Sequence, residues 1–170
     1  PVLSNNTLLH LISDFERISD HSVNIVESAE EMKDKKLSFS AQATEELKVM
    51  RAALDEILGI TLKSFLENDV RLAEEVEPIE EVVDDLRDQI KLNHILRLQK
   101  SECTIEHGFI LADLLNNFER VSDHCSNVAV AVIEVEHNSF DTHHYLQDIK
   151  HTSEAFQSAY VAYKEKYSLA

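Results

Sequence analysis

The chain has 170 residues, with only two glycines and two prolines, and a formal net charge of −16. So few turn-forming residues exclude a sandwich or barrel of short β-strands, and two cysteines are too few for a disulfide framework. The negative charge repels phosphate backbones and anionic lipid, which excludes a nucleic-acid-binding protein.

Apolar residues three or four positions apart predict the first two helices. The first covers about residues 5–35 and the second about residues 41–66, joined by the loop KDKKLSFS. The residues predicted to face inward are Leu8, Leu11, Phe15, Ile18, Ser22, Ile25, Ala29 and Met32, then Leu47, Met50, Leu54, Ile57, Leu58, Leu62 and Phe65.

A third helix is predicted from the turn ENDV to about residue 99, and it contains a proline. Its inward stripe is Leu72, Val76, Ile79, Val83, Leu86 and Ile90. Pro78 removes a backbone hydrogen bond and crowds the preceding turn, so we expect a kink or a fresh helix start near Glu77.

Two further helices complete the pattern, at about residues 105–136 and 142–167, bounded by the loops KSECT and HNSFD. Their inward residues are Leu111, Leu114, Phe118, Val121, Cys125, Val128 and Val132, then Tyr145, Ile149, Phe156, Tyr160, Tyr163 and Tyr167. Long helices with short connections predict an all-α fold, an antiparallel bundle of about five helices. We expect reduced cysteines, as in the cytosol, and, because no methionine opens the chain, a piece of a longer or processed protein.

One charged string occurs twice. FERISDHSVNI at 15–25 and FERVSDHCSNV at 118–128 are identical at seven positions. On a helical wheel each copy carries an apolar stripe and, on another face, a polar row with i, i+4, i+8 spacing. The rows are Glu16, Asp20 and Asn24, and Glu119, Asp123 and Asn127.

Two interpretations of these rows remain open. Carboxylates four residues apart on one face lie close enough to chelate a hard cation. Alternatively, a duplicated segment has kept an acidic face that is merely solvated. Seven identities in eleven positions, on the polar side as well as the apolar side, favour the first interpretation.

Both strings resemble the signature helix of the PhoU family of phosphate-uptake regulators, close to L-E-R-I-G-D-x-x-x-N-I. Serine replaces the family glycine at Ser19 and Ser122. The stretch from Val82 to Ala129 also resembles the PhoU-like C-terminal domain of bacterial sodium/phosphate cotransporters. The resemblance implies one domain over 1–170, in which 5–35 is the last helix of a truncated first repeat, 41–136 is a complete second repeat and 142–168 is a C-terminal helix.

In this family E(D)-x-x-x-D motifs bind multinuclear metal clusters, of iron or zinc. The resemblance therefore implies three candidate ligand pairs: Glu119 with Asp123, Glu16 with Asp20, and Glu77 with Glu81. The second pair lacks part of its repeat, so its site is expected to be empty. Pro78 interrupts the third pair. His21 and His124 follow the motif aspartates, and they are either supporting partners of the ligands or helix-surface residues.

The resemblance further implies a regulator that is not an enzyme. It would control or sense phosphate transport at the cytoplasmic face of the membrane, bound to the transporter portion of the same or another protein. Phosphate would bind only through metal. The alternative is a structural helical module that docks a partner or forms a homodimer through an uncovered seam on the first helix, with solvated carboxylates.

Three further constellations carry weaker signals. His144, Asp148 and His151, with His143 adjacent, have ligand spacing for zinc or copper, against a plain exposed polar face. A di-iron site needs two E-x-x-H motifs, and Glu134 with His137 supplies one, which excludes that site. Cys125 belongs to the apolar stripe, and the pair Cys103 and His107 is weak without further ligands.

Overall fold

The computed structural model describes the backbone of residues 5–137 and 153–169, and the side chains of residues 6–135 and 153–169. These residues form six helices, namely α1 (Asn5–Asp34), α2 (Ala41–Glu67), the short α3 (Val70–Glu74), α4 (Val76–Gln99), α5 (Ile105–His137) and α6 (Glu154–Lys166). The prediction of an all-α helical bundle is confirmed. The part of the last predicted helix before residue 153 lies outside the described residues.

The break between α3 and α4 is the fresh helix start that the proline predicts. The αR residue Glu75 separates the two helices, and Pro78 lies in the first turn of α4. A proline in the first turn is tolerated, because the backbone N–H groups of that turn have no partner within the helix. The chain therefore redirects before Pro78 without loss of a helical hydrogen bond.

Helices α2, α4 and α5 enclose the main core. Its side chains, exposed by a few per cent at most, include Met50, Ile57, Val76, Ile79, Val83, Ile90, Leu111, Leu115, Cys125 and Ile133. The stripes predicted for α4 and α5 are therefore confirmed almost completely. Leu62 of α2 was predicted to face inward and is instead half exposed, because no described helix packs over that side of α2.

One ion pair is buried between α2 and α4. The guanidinium of Arg97 donates to both carboxylate oxygens of Glu46, at 2.8 and 2.9 Å, and Asn93 donates to the same carboxylate at 2.8 Å. Glu46 and Arg97 are only 5% and 4% exposed. These side chains satisfy each other inside the bundle and fix the register of the two helices.

Helix α6 closes the other side of the bundle through hydroxyl and ammonium contacts to carboxylates. Tyr160 donates to Asp85 at 2.5 Å, and Lys164 donates to the same carboxylate at 2.8 Å. Further along α6, Tyr163 donates to Glu75 at 3.0 Å. The C-terminal helix is thereby attached along the outer side of α4.

Helix α1 packs antiparallel on α5 through the repeated string. Leu11 and Val128 are buried in a small apolar cluster between the two helices. Next to this cluster along the two helices, Asp14 Oδ1 lies 2.9 Å from Nδ1 of His124 and accepts a hydrogen bond from Asn127 at 3.1 Å.

The same polar contact recurs with the two helices exchanged. Asn117, the counterpart of Asp14, lies 2.9 Å from Nδ1 of His21 and accepts from Asn24 at 3.1 Å. The rings of His21 and His124 stack between the two contacts, with centroids 5.7 Å apart. Helices α1 and α5 are therefore related by a local two-fold axis, which explains why both copies keep a histidine and an asparagine.

The prediction of an inward seam along α1 is only partly correct. Of the predicted residues, Leu11 is buried, whereas Leu8 is 44% exposed and Ser22 and Ala29 are exposed. Outside the predicted stripe, four further apolar side chains of α1 are 54% exposed or more: Leu9, Ile12, Val23 and Val26. The α5 counterparts of these exposed apolar residues include the buried residues Leu111, Leu115 and Ala129, which pack against α2 or α4. Helix α1 thus presents the face that α5 buries, without the two helices that cover it there.

Candidate functional site

A ridge of carboxylates on α4 faces a second ridge on α5. Glu77, Glu80 and Asp84 follow one another at i, i+3 and i+7, the spacing of one helix face. Glu119 and Asp123 lie opposite on the antiparallel helix α5. We call these five residues the acidic seam.

The α4 side of the acidic seam is buried. Glu77 and Glu80 are each 8% exposed, and a short hydrogen bond runs from the hydroxyl of Ser126 to the Glu77 carboxylate. Ser122, the position of the family glycine, is 1% exposed, and its hydroxyl has no hydrogen-bond partner in the described structure. Buried carboxylates are costly unless a cation or several donors compensate them. The seam therefore places several carboxylates where water is largely excluded.

Arg87 supplies positive charge at one end of the seam. Its Nη1 lies 2.8 Å from Oε1 of Glu119 and 3.4 Å from Oδ1 of Asp84, and its Nε donates to Asp88 at 3.0 Å. The Oδ1 atom of Asp84 is nevertheless buried and accepts no hydrogen bond. One guanidinium thus contacts three carboxylates, two of which belong to the seam.

The pKa values of two seam carboxyls reflect this surplus of negative charge. The pKa of Asp84 is raised first by burial and then by the charges of Glu119, Asp123 and Glu81, against the opposing effect of Arg87. The pKa of Asp123 is raised by burial and by Glu119. Both carboxyls resist ionisation, so a bound cation would relieve the repulsion in the seam.

Substitution of Asp84 by asparagine is expected to stabilise the metal-free protein at pH 7, by up to about 1 kcal/mol because the group is partly exposed. A folded-state pKa above the ordinary 3.8 means that the folded protein binds protons more tightly than the unfolded chain. The wild-type contribution of Asp84 therefore falls as pH rises through the folded pKa, and the gain from D84N should shrink as pH falls toward 3.8. Urea denaturation across this pH range measures the difference.

The neighbouring aspartate provides a control of opposite sign. Burial opposes ionisation of Asp85, but hydrogen bonds from Lys164 and Tyr160 lower its pKa below the ordinary value. Its stabilising contribution is present above the ordinary pKa and disappears as pH falls through the lowered one, so D85N should destabilise at pH 7. Equal effects of D84N and D85N would contradict the assignment of repulsion to the seam.

The structure brings some of the predicted ligands together and separates others. Glu119 and Asp123, predicted as a polar row on a face other than the apolar stripe, lie in the groove between α4 and α5. Glu81 is exposed beside the seam. Glu16 and Asp20 are exposed on α1, and neither has a hydrogen bond or an ion pair with another described residue.

Sequence reasoning missed three residues of this groove: Glu80, Asp84 and Arg87. A signal for the first two was present, because Glu80-x-x-x-Asp84 repeats the spacing of Glu119-x-x-x-Asp123. The predicted pair of Glu77 and Glu81 has the same spacing, and of the two, Glu77 belongs to the seam whereas Glu81 is exposed beside it. Arg87 had no signal, since an arginine in an acidic helix is normally a solvated residue.

The asparagines of the two rows belong to the α1–α5 contact, as do His21 and His124. Of the other cysteine and histidine candidates, Cys125 is buried, and burial raises its pKa to about 12. Cys103 Sγ lies 3.6 Å from Nδ1 of His94, whereas His107 contacts Thr104 and the Ser38 carbonyl. His143, His144, Asp148, His151 and the side chain of His137 lie outside the described residues.

Carboxylate oxygens are the donors that hard cations such as iron and manganese accept. Within the side chains that the structure describes, no three His, Cys, Asp or Glu residues already converge as a ligand set. The Oδ1 atom of Asp84, which accepts no hydrogen bond, and the buried carboxylates beside it nevertheless suit a multivalent cation. No described helix is both long enough and apolar enough to cross a lipid bilayer.

Comparison with known proteins places this groove inside a recognised domain. The profile of the PhoU domain matches residues 47–132, which run from α2 into α5. The phosphate-specific transport system accessory protein PhoU homolog 1 of Thermotoga maritima is 29% identical over 130 residues, which is 76% of this chain and 55% of that protein.

Two further relatives carry corresponding names. The PhoU homolog of Deinococcus radiodurans is 27% identical over 125 residues, 74% of this chain and 57% of that protein. PhoU homolog 1 of Methanothermobacter thermautotrophicus is 30% identical over 118 residues, 69% of this chain and 52% of that protein. The chain thus spans somewhat more than half the length of these relatives, and no solved structure matches it.

Proposed function

The chain belongs to the PhoU domain family, and from this premise we propose that it is a metal-binding regulatory domain of phosphate transport. The observation that carries the metal-binding part is the acidic seam, in which Glu77 and Glu80 are buried and one Asp84 oxygen has no hydrogen bond. The link to phosphate transport rests on relatives that are accessory proteins of phosphate-specific transport systems.

We propose the following roles for the residues of the groove. Asp84, Glu119 and Asp123 supply carboxylate oxygens from both helices, and Glu77 and Glu80 add negative charge from the buried side. A multivalent cation such as iron or zinc, when bound, would neutralise the carboxylates, join α4 to α5 and offer open positions to phosphate oxygens. We assign Glu16 and Asp20 to a second candidate site, for which no described helix supplies facing carboxylates.

The proposed location is the cytoplasmic face of a membrane, where the domain acts on the transporter portion of a sodium/phosphate cotransporter, on the same or a partner chain. The same proposal divides the chain into 5–35, the last helix of a first repeat, 41–136, a complete repeat, and 142–168, a C-terminal helix. It is supported by the core that α2, α4 and α5 enclose. No catalytic role is assigned.

A second candidate function is that of a structural interaction or dimerisation module with solvated carboxylates. It is favoured by the exposed apolar residues of α1, among them Leu9 and Ile12 at 65% and 55% exposure. Apolar side chains grouped in this way mark surfaces that contact another protein. In this case the partner would be a second copy of the chain or the transporter, and metal would have no part.

Phosphate uptake in the native host distinguishes the two functions. With E119Q/D123N, we expect the ratio of uptake between starved and phosphate-replete cells to fall toward unity, because the seam no longer holds a cation. E30Q/D34N supplies a control, because it changes two exposed carboxylates four residues apart on α1, outside the repeated string, and it should regulate like the wild type. Normal regulation by E119Q/D123N, together with its loss in L9Q/I12Q, would support the interaction module instead.

A further inference from the structure

Arg87 lies at one end of the acidic seam, between carboxylates of α4 and α5. Its guanidinium contacts Glu119 on α5 and approaches Asp84 on its own helix, at 2.8 and 3.4 Å. It is 19% exposed on its side chain, whereas Arg120, the arginine of the repeated string, is 61% exposed. Arg87 is therefore built into the groove rather than displayed on the surface.

The position of Arg87 bears on the absence of a complete ligand set among the described side chains. A guanidinium between the α4 and α5 carboxylates takes two of the oxygens that a cation would need. A cation that enters the groove meets the like charge of Arg87 only a few ångströms away. Metal and arginine thus compete for the same carboxylates.

Arg87 also has a carboxylate partner outside the acidic seam. Its Nε donates to Asp88 at 3.0 Å, and the Asp88 side chain is 70% exposed. Rotation of the guanidinium toward Asp88 would release Asp84 and Glu119 without leaving the arginine unpaired. The ion pair with Asp88 would therefore stabilise the conformation in which Arg87 has left the seam.

We propose that Arg87 is a built-in counter-ion that competes with metal for the acidic seam and so sets its metal affinity. This proposal rests on the proposed function of the seam as a metal site. In the metal-free protein Arg87 partly neutralises the carboxylates and keeps α4 against α5. When a multivalent cation binds the carboxylates, Arg87 turns to Asp88. Because the cation must displace a charged side chain, it replaces Arg87 only at a sufficient concentration.

Titration of the metal-free protein with Mn²⁺, followed by isothermal calorimetry, tests the proposal. R87Q should bind Mn²⁺ at least about tenfold more tightly than the wild type, because a competing charge is removed while the ligands remain. R87K keeps the charge, and R120Q removes an exposed one, so both should bind within about threefold of the wild type. The thermal stabilisation by Mn²⁺ should likewise be largest for R87Q.

A second variant protects the test against a folding defect in R87Q. D88N removes the charge of Asp88, the partner of Arg87 outside the seam. It should weaken Mn²⁺ binding by a few fold, because an arginine displaced from the seam then has no carboxylate beside it on α4 to receive it. Equal Mn²⁺ affinity of the wild type, R87Q and D88N would overturn the counter-ion and leave the seam as a metal site. Weaker binding by R87Q would overturn competition and make Arg87 a positioning residue, and no Mn²⁺ binding by any variant would overturn the metal site itself.

Discussion

Exchange of Glu119 for glutamine and Asp123 for asparagine is expected to abolish most metal binding while the helical bundle stays folded. The two carboxylates supply the α5 half of the acidic seam, and amides lack the charge that holds a multivalent cation. Affinity should fall by more than about 100-fold, because loss of even a group that supports a ligand costs 10–100-fold. Elemental analysis for iron, zinc and manganese after purification, with titration of the metal-free protein, measures the loss.

The repeat provides the matched control for this experiment. E16Q/D20N changes the same residue types at the same positions of the same string, but on α1, where both carboxylates are exposed. This variant should retain the metal of the wild type, since α1 has no facing acidic helix among the described elements. Equal metal in the wild type and E119Q/D123N would contradict the seam and favour the structural module. Equal loss in both double variants would show that the two copies act as one site.

Substitution of Arg97 by methionine is expected to destabilise the protein by about 3–5 kcal/mol, the usual cost of leaving one partner of a buried ion pair uncompensated. Glu46 would remain buried between α2 and α4, with Asn93 as its remaining donor among the described residues. Removal of Arg97 also takes away two charge-assisted hydrogen bonds at 2.8 and 2.9 Å. Urea denaturation at neutral pH, followed by circular dichroism, measures the change.

The double variant E46L/R97M separates the charge from the packing. Replacement of both partners by apolar residues removes the buried charge, so most of the lost stability should return. Helix content and metal binding should be unchanged, because this pair lies at the opposite end of α4 from Glu77 and Glu80. A double variant as unstable as R97M would show that shape rather than charge governs this position.

The chain order of helices follows from local patterns, which explains why the sequence predicted it well. The stripes of α4 and α5 have a period of three to four residues, and a helix that buries such a stripe has few alternatives. Pro78 fixed the helix start by a local steric effect. These features depend on neighbours in the sequence, so no knowledge of the bundle was needed.

The acidic seam needed the three-dimensional arrangement. The sequence identified Glu119 and Asp123 from their repetition, but α4 contains acidic residues on several faces, and spacing alone could not choose among them. The angle between α4 and α5 turns Glu80, Asp84 and Arg87 into the groove and leaves Glu81 exposed. Likewise, only the packing of α1 on α5 shows that the repeated histidines and asparagines contact each other.

By itself, the sequence determined the fold class, the boundaries of α1, α2 and α5 to within a few residues and the family, because periodicity and a repeated string are properties of the chain read in order. The last helix, predicted from about residue 142, instead begins at Glu154, where the Ser153 side chain caps it. The tertiary structure decided which carboxylates share a groove, which arginine lies among them and which apolar face of α1 is exposed. The physical reason is that burial and charge compensation depend on the side chains that a neighbouring helix brings within a few ångströms. That neighbour is distant in sequence, so its identity is decided by packing alone.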